Sequence, residues 1–513
     1  MTEPLELGST GVTASDVVAV ARHDRRVELG PDARRAIERG AAVVERLVEL
    51  PDPVYGVSTG FGALANTVIP TERSAELQTA LLRSHAAGMG AEVEREVVRA
   101  MVFLRARSLA MGFSGARTVV VQTMLALLNA GVTPIVREHG SLGASGDLAP
   151  LAAAALVLLG EGEARLRDGT PVGGAAALAA AGQPPVSLRA KEGLALINGT
   201  DGMLGMLVLA LADLDSLLPV ADIAGAMSTE ALLGTDRAFA ADLISMRPQV
   251  GQVASAANLR ALLAGSAIVA SHRYDDDRVQ DAYSLRCTPQ VHGAARDTVE
   301  HARLIADREL VSFIDNPVVL PDGRVESCGN FHGAPVAAVA DFLAIAVADV
   351  GAISERRTDR LLDRTRSQGL PPFLAPDAGV NSGLMIAQYT QAAMVAENRR
   401  LAVPASTDTL PTSAMQEDHV SLGWSAARKL RAAVANLRRV LAVELIAGSW
   451  GLALRAPLRP AAATGAVARA IVEVAGVPGP DEWLAPRLGA VEQLVADGAV
   501  VAAANEALDA PLR

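Results

Sequence analysis

The chain is 513 residues long and 50% hydrophobic, yet only 3% aromatic, with Trp 3, Tyr 4 and Phe 8. That balance excludes a disordered chain and argues against an all-β sandwich or barrel, which draws on aromatic and β-branched residues. A formal net charge of −11, from Lys+Arg 46 against Asp+Glu 57, is a poor match to nucleic-acid binding, which relies on cationic surface.

Ala, Leu and Val carry the apolar mass, so the predicted fold class is all-α, built from long, closely packed helices. Lys191 and Lys429 are the only lysines; with the Ala excess, this reads as high-GC coding bias. Cys287 and Cys328 are too few for a disulfide framework and are not spaced as a metal site, so no metal is expected. The opening MTEPLELGST lacks the charged and apolar regions of a signal peptide. The uncharged stretch Thr118–Val136 is long enough to span a bilayer. Gln122, Asn129, Gly131 and Pro134 interrupt it and predict a buried helix ending in a turn. The expectation is a soluble, cytoplasmic protein with neither nucleic acid nor membrane as partner.

Three regions are read along the chain. Residues 1–200 alternate helical patterns with Gly-rich loops, at Tyr55–Gly62, Ala86–Gly90 and Gly140–Pro150. Residues 201–456 carry long helices with few breakers. There Val336, Val339, Leu343, Ala346, Val350 and Ile353 alternate spacings of three and four, the mark of a helix buried along one stripe, and Pro335 suits its start. Residues 457–513, with Pro460, Pro478, Pro480 and Pro486, read as a C-terminal helical appendage.

An Ala144-Ser145-Gly146 tripeptide in an Ala-rich chain is ordinarily just a tight turn. The longer string, Gly140-Ser141-Leu142-Gly143-Ala144-Ser145-Gly146-Asp147-Leu148-Ala149-Pro150, closely resembles the cofactor-forming motif of the histidine and aromatic amino-acid ammonia-lyase family. The resemblance implies that Ala144, Ser145 and Gly146 condense autocatalytically into 4-methylideneimidazol-5-one (MIO), with no external cofactor. The chemistry accounts for the residue types. The Gly146 nitrogen must fold back onto the Ala144 carbonyl, which a Cβ would hinder, and the Ser145 hydroxyl leaves as water.

The resemblance extends over nearly the whole chain and is close to the histidine branch. It implies an all-α long-helix bundle of the histidine/phenylalanine ammonia-lyase type, with a loop-rich N-terminal region carrying the MIO. It also implies a homotetramer with each active site built from several subunits.

Tyr55, in Tyr55-Gly56-Val57-Ser58-Thr59-Gly60-Phe61-Gly62, otherwise one packed ring in a surface loop, resembles the family's mobile tyrosine and would remove the substrate's β-proton. A free phenol with a pKa of about 10 needs cationic or electrophilic neighbours to do so. His85, in Ser84-His85-Ala86-Ala87-Gly88, would otherwise be a structural histidine; the resemblance makes it the residue that reads a polar substrate ring. Asn198-Gly199, in isolation a turn signal, would place the Asn198 amide near the MIO, holding its charge or the substrate carboxylate.

Gln280-Asp281-Ala282-Tyr283-Ser284-Leu285-Arg286, if helical, fans Gln280, Tyr283 and Arg286 over one face, which could be no more than a solvated surface. The family pattern gives Arg286 a bidentate grip on the α-carboxylate, Tyr283 a place beside the MIO and Gln280 supporting polar contacts. Ser413 and Gln416 have the spacing of a capping box, with Glu417 and Asp418 suited to a helix start. By resemblance Glu417 also reaches the substrate's imidazole or amine. Phe331 would wall the ring pocket or simply fill core.

Ala80, Ala153 and Cys328 depart from the family's usual residues; none removes a proposed catalytic group. The implied reaction is conversion of L-histidine to trans-urocanate and ammonia, the first step of histidine degradation. The rivals are a tyrosine or phenylalanine ammonia-lyase, a 2,3-aminomutase, and a catalytically silent helical oligomer.

Overall fold

The Ala- and Leu-rich segments fold as helices, and among the described residues the strands are short, none longer than four residues. The structure is a computed structural model describing residues 3–48, 56, 59–60, 62–64, 66–274, 276 and 278–513. Two compact units are present. One comprises Met1–Leu209, Ala302–Asp341 and Pro404–Arg428; the other comprises Ala210–His301, Phe342–Val403 and Lys429–Arg513.

The first unit is centred on the helix Arg95–Ala110, in which every residue from Val97 onward is buried. Three arginines of that helix act as clamps on backbone carbonyls. Arg99 donates to Val20 and Leu128, Arg105 to Asn198 and Ile314, and Arg107 to Ser312. Guanidinium suits this use because its planar fork carries five donors on one charge. The stretch beginning at Thr118 forms a buried helix, Thr118–Ala130, closed by left-handed Gly131 (φ 77°), as its composition predicts. Short sheets tie the loops of this unit together: Leu5–Leu7 pairs parallel with Val27–Leu29, and Met89–Glu92 pairs antiparallel with Arg137–His139.

The second unit takes most of the length of the long helices. Asp201–Ala231 and Ala334–Leu362 are long and apolar enough to cross a membrane by length and composition alone. Their apolar windows are 78% and 61% buried within the protein, which accounts for that hydropathy by helix packing. Ala334–Leu362 starts where Pro335 predicted and buries Val336, Val339, Leu343, Val350 and Ile353.

Two buried carboxylates join the bundle. Glu444, on Gly423–Leu454, accepts from Ser228 (2.7 Å), Ser354 (2.6 Å) and both Nε (2.5 Å) and Nη2 (3.0 Å) of Arg357. Asp222 accepts from Ser255 (2.6 Å), Asn258 (2.9 Å), His292 Nδ1 (2.7 Å) and Arg296 (2.7 Å).

Removing one member of a fully buried ion pair leaves the other uncompensated, which typically costs about 3–5 kcal/mol. Arg357 and Glu444 have no exposed side-chain surface. Glu444→Ala is therefore expected to lower unfolding free energy by about that amount. The double replacement Arg357→Met/Glu444→Leu should lose less than the single variant, and urea titration of the three proteins reads the difference.

Candidate active site

The Gly143–Gly146 turn is built from backbone that few residues tolerate. Gly143 (φ 74°), Ser145 (φ 52°) and Gly146 (φ 80°) are left-handed, and Ser145 is the non-glycine among them. A Cβ on Gly146 would overlap the carbonyl of Gly199, so glycine is required by that close approach. The turn is pinned on several sides. Asp147 N donates to Gly199 O at 2.7 Å, Leu422 N to Leu142 O at 2.9 Å, and Ser421 Oγ to Gly143 O at 3.5 Å.

Ser145 lines a cavity of about 560 Å³ together with His85, Asn198, Asn316 and Glu417; Leu81, Leu148, Leu194 and Ile197 supply apolar walls. Ala80, one of the departures from the family pattern, is also in that lining. A second cavity of about 580 Å³ shares Ser145, Asn316 and Glu417 and adds Phe331. Five sequence-predicted residues from distant positions, at 85, 145, 198, 331 and 417, are thus brought to one place.

His85 is the last residue of the helix Ser74–His85. Its Nδ1 lies 2.9 Å from the carbonyl of Leu81, which can only accept, so Nδ1 carries the proton and Nε2 is the acceptor. Burial lowers the pKa of His85 below its ordinary value, against the opposing pull of the Leu81 carbonyl and of Glu417. A neutral imidazole offering a lone pair suits a ligand ring that bears an N–H or O–H.

Glu417 reaches the cavity from a tight loop rather than from a capped helix. Ser413, Ala414 and Met415 are left-handed (φ 49°, 53° and 72°), and Thr412 and Glu417 exchange backbone hydrogen bonds at 2.9 and 3.4 Å. The capping box expected of Ser413 and Gln416 does not form: the Ser413–Met415 turn has Thr412 at its cap position, with no side-chain cap bond. Glu417 Oε2 is buried and has no hydrogen-bond partner among the described residues.

The second unit holds Gln280, Tyr283 and Arg286, and none of them lines the Ser145 cavity within this chain. Only Tyr283–Arg286 is helical, preceded by Ala282 in extended backbone, so Gln280 does not share a helical face with the other two. Tyr283 is 72% exposed, and the Arg286 guanidinium lies 4.7 Å from its ring centroid. Tyr55 lies outside the described residues.

Lys191, Asp315 and Asn316 were not singled out as site residues. Lys191 Nζ lies 2.8 Å from Asp315 Oδ2, both fully buried, and Asn198 Nδ2 donates to Asp315 Oδ1 (3.1 Å) and to Asn316 O (2.7 Å). One signal was available: Lys191 is one of only two lysines in a chain that otherwise uses arginine. Cys328 belongs to the same surroundings, its N–H donating to Asn316 Oδ1 at 2.8 Å. Among the described residues there is no cluster of side chains that could hold a metal ion.

The model of the aromatic amino acid lyase family matches residues 12–473. The chain belongs to the aromatic amino acid lyase family. Histidine ammonia-lyase of Streptomyces avermitilis is 62% identical to this lyase over 508 residues, covering 99% of each chain. The crystal structure of histidine ammonia-lyase from Trypanosoma cruzi superposes with a TM-score of 0.90 at 38% identity, covering 99% of this chain and 96% of that one. Tyrosine aminomutase from Streptomyces globisporus superposes with a TM-score of 0.93 at 36% identity, covering 100% of both. The all-α, long-helix architecture is common to these relatives.

Asp147 follows the turn and binds the start of the helix Asp201–Ala231, its Oδ2 accepting from Gly202 and Met203 N–H at 2.9 Å each, while Ser141 donates to Oδ1 at 3.0 Å. Complete burial pushes its pKa up from 3.8 to about 7, against the pull of those donors. A carboxyl that binds its proton more tightly in the fold than in the unfolded chain stabilises the fold when protonated. Its contribution is therefore lost as pH rises from about 3.8 to about 7. Asp147→Asn should flatten that part of the stability curve, read as denaturation midpoint against pH.

Proposed function

We propose that this lyase eliminates ammonia from L-histidine, without oxidation, to give trans-urocanate, the first step of histidine degradation. The observation that carries the reading is the meeting, at one cavity, of a left-handed Ser145 turn with His85 Nε2 as acceptor and a Glu417 carboxylate oxygen without a partner among the described residues. The full-length identity to histidine ammonia-lyases supports the same substrate.

The residues of the turn fit the formation of MIO. Gly146 has no side chain to keep its nitrogen from the Ala144 carbonyl, and the left-handed Ser145 supports a reversal of the chain there. Ala144, Ser145 and Gly146 would hold that group, and it would supply an electrophilic carbon that turns an amine into a better leaving group. His85 Nε2 accepts from the imidazole N–H, and Glu417 accepts from the amine or, where the substrate ring is protonated, from its second N–H. Phe331 walls the ring. Tyr55 takes the β-proton, with Tyr283 as a second phenol.

The α-carboxylate needs a cation, and no Arg or Lys is among the described residues lining the Ser145 cavity. Arg286 fills that role with its bidentate guanidinium, assisted by Gln280. The assembly is a homotetramer with each active site built from several subunits, and the enzyme works in the cytoplasm.

A tyrosine substrate is the second reading, because a phenol O–H would also donate to His85 Nε2, and because the fold superposes closely on a tyrosine aminomutase. Incubation with L-histidine and L-tyrosine, followed by urocanate and coumarate absorbance, separates the two. Urocanate is expected; coumarate without urocanate would overturn the histidine assignment.

Intact mass of the same preparation should fall short of the sequence mass by about 36 Da, the loss of two waters, in keeping with a covalent change to the chain. Ser145→Ala should show the full mass of its own sequence, with no loss of water, and abolish most activity. An unmodified mass in folded wild-type protein would instead favour a silent helical scaffold.

A further inference from the structure

Asn198 is the C-terminal cap of a six-residue helix, Glu192–Ile197, and Lys191 is its N-terminal cap in left-handed backbone (φ 65°). Asp315 bonds to both ends of this helix. Its Oδ2 takes the Lys191 ammonium, and its Oδ1 takes the Asn198 amide together with the N–H of Asn316 at 2.7 Å. The Asn198 backbone is held as well: its carbonyl accepts from Arg105 at 2.8 Å and its N–H donates to Leu194 at 3.1 Å.

The donor count settles which way the amide faces. A side-chain NH2 donates two hydrogen bonds, and both of those of Asn198 are spent, on Asp315 Oδ1 and Asn316 O. Those two atoms are acceptors only, so the reversed amide would set oxygen against oxygen. What remains is Oδ1, buried and, among the described residues, without a partner, in a residue that lines the Ser145 cavity. The Glu417 Oε2 and His85 Nε2 positions add two more acceptors to the same lining.

We propose that the buried Lys191–Asp315 pair is a positioning unit that holds the Asn198 amide with its oxygen toward the substrate, so that Asn198 binds the α-ammonium group and not the carboxylate. The assignment rests on the histidine reading above. Lys191 and Asp315 touch neither substrate nor reacting atoms; they act through Asn198. Neutralising Asp315 removes the anion that the Lys191 charge and the amide NH2 both need, and frees the amide to turn. The site then loses discrimination for the amine while keeping its ring contacts.

Two inhibitors separate amine from carboxylate recognition: histidinol, with the amine and no carboxylate, and imidazole-4-propionate, with the carboxylate and no amine. Inhibition constants are measured for wild-type, Asn198→Ala and Asp315→Asn enzymes, each checked for native circular dichroism. Histidinol should weaken about tenfold in both variants, while imidazole-4-propionate stays within about twofold, as loss of one hydrogen bond to a charged group predicts.

If Asp315→Asn does not fold, Lys191→Met is read in its place. Equal or greater weakening of imidazole-4-propionate in Asn198→Ala would overturn the assignment. So would an unchanged ratio of the two constants in Asp315→Asn or Lys191→Met. Wild-type enzyme that binds neither compound would overturn the histidine reading itself, an outcome distinct from failure of the positioning role.

Discussion

The carboxylate of Asp147 is the point on which the site depends. It follows the Ser145 turn directly, and its Oδ2 accepts from the N–H groups of Gly202 and Met203 at the start of the helix Asp201–Ala231. Those N–H groups have no partner within the helix, so an acceptor at that end is required wherever water is excluded. Its own N–H closes on Gly199, next to Asn198. The turn, the helix start and the Asn198 segment are thereby fixed by one residue, and the Cβ-free approach of Gly146 to Gly199 follows from that closure.

The same economy runs through both units. Charged side chains are buried where they can bind several partners, and the partners come from distant parts of the chain. Arg105 bonds the carbonyls of residues 198 and 314, Asp315 joins residues 191, 198 and 316, and Glu444 joins residues 228, 354 and 357. In a chain with only 15 aromatic rings, these polar joints supply much of the specificity that shaped apolar side chains would otherwise provide.

Much of this was legible from residue pattern. The three-and-four spacing from Val336 to Ile353 located a helix because burial on one stripe leaves a periodic trace. His85, Ser145, Asn198 and Glu417 were named from their motifs, and they meet at one cavity. What pattern missed was tertiary. The Ser413–Gln416 spacing suggested a capped helix, but three successive left-handed residues make a loop instead. Gln280 fell outside the helical turn that holds Tyr283 and Arg286, since four residues leave no periodicity to read. Asp315 carries no local signal at all; its role exists only because Lys191 and Asn198, more than a hundred residues earlier, fold against it.

The scarcity of lysine has a chemical consequence of its own. Lys191 is sealed within the fold, whereas Lys429 is only partly covered. An amine-directed reagent thus meets one accessible lysine side chain in the native chain, at a known position on the helix Gly423–Leu454. Slow labelling of Lys191 would then time the local opening of the interior beside Asn198, and the protein carries its own clock for that motion.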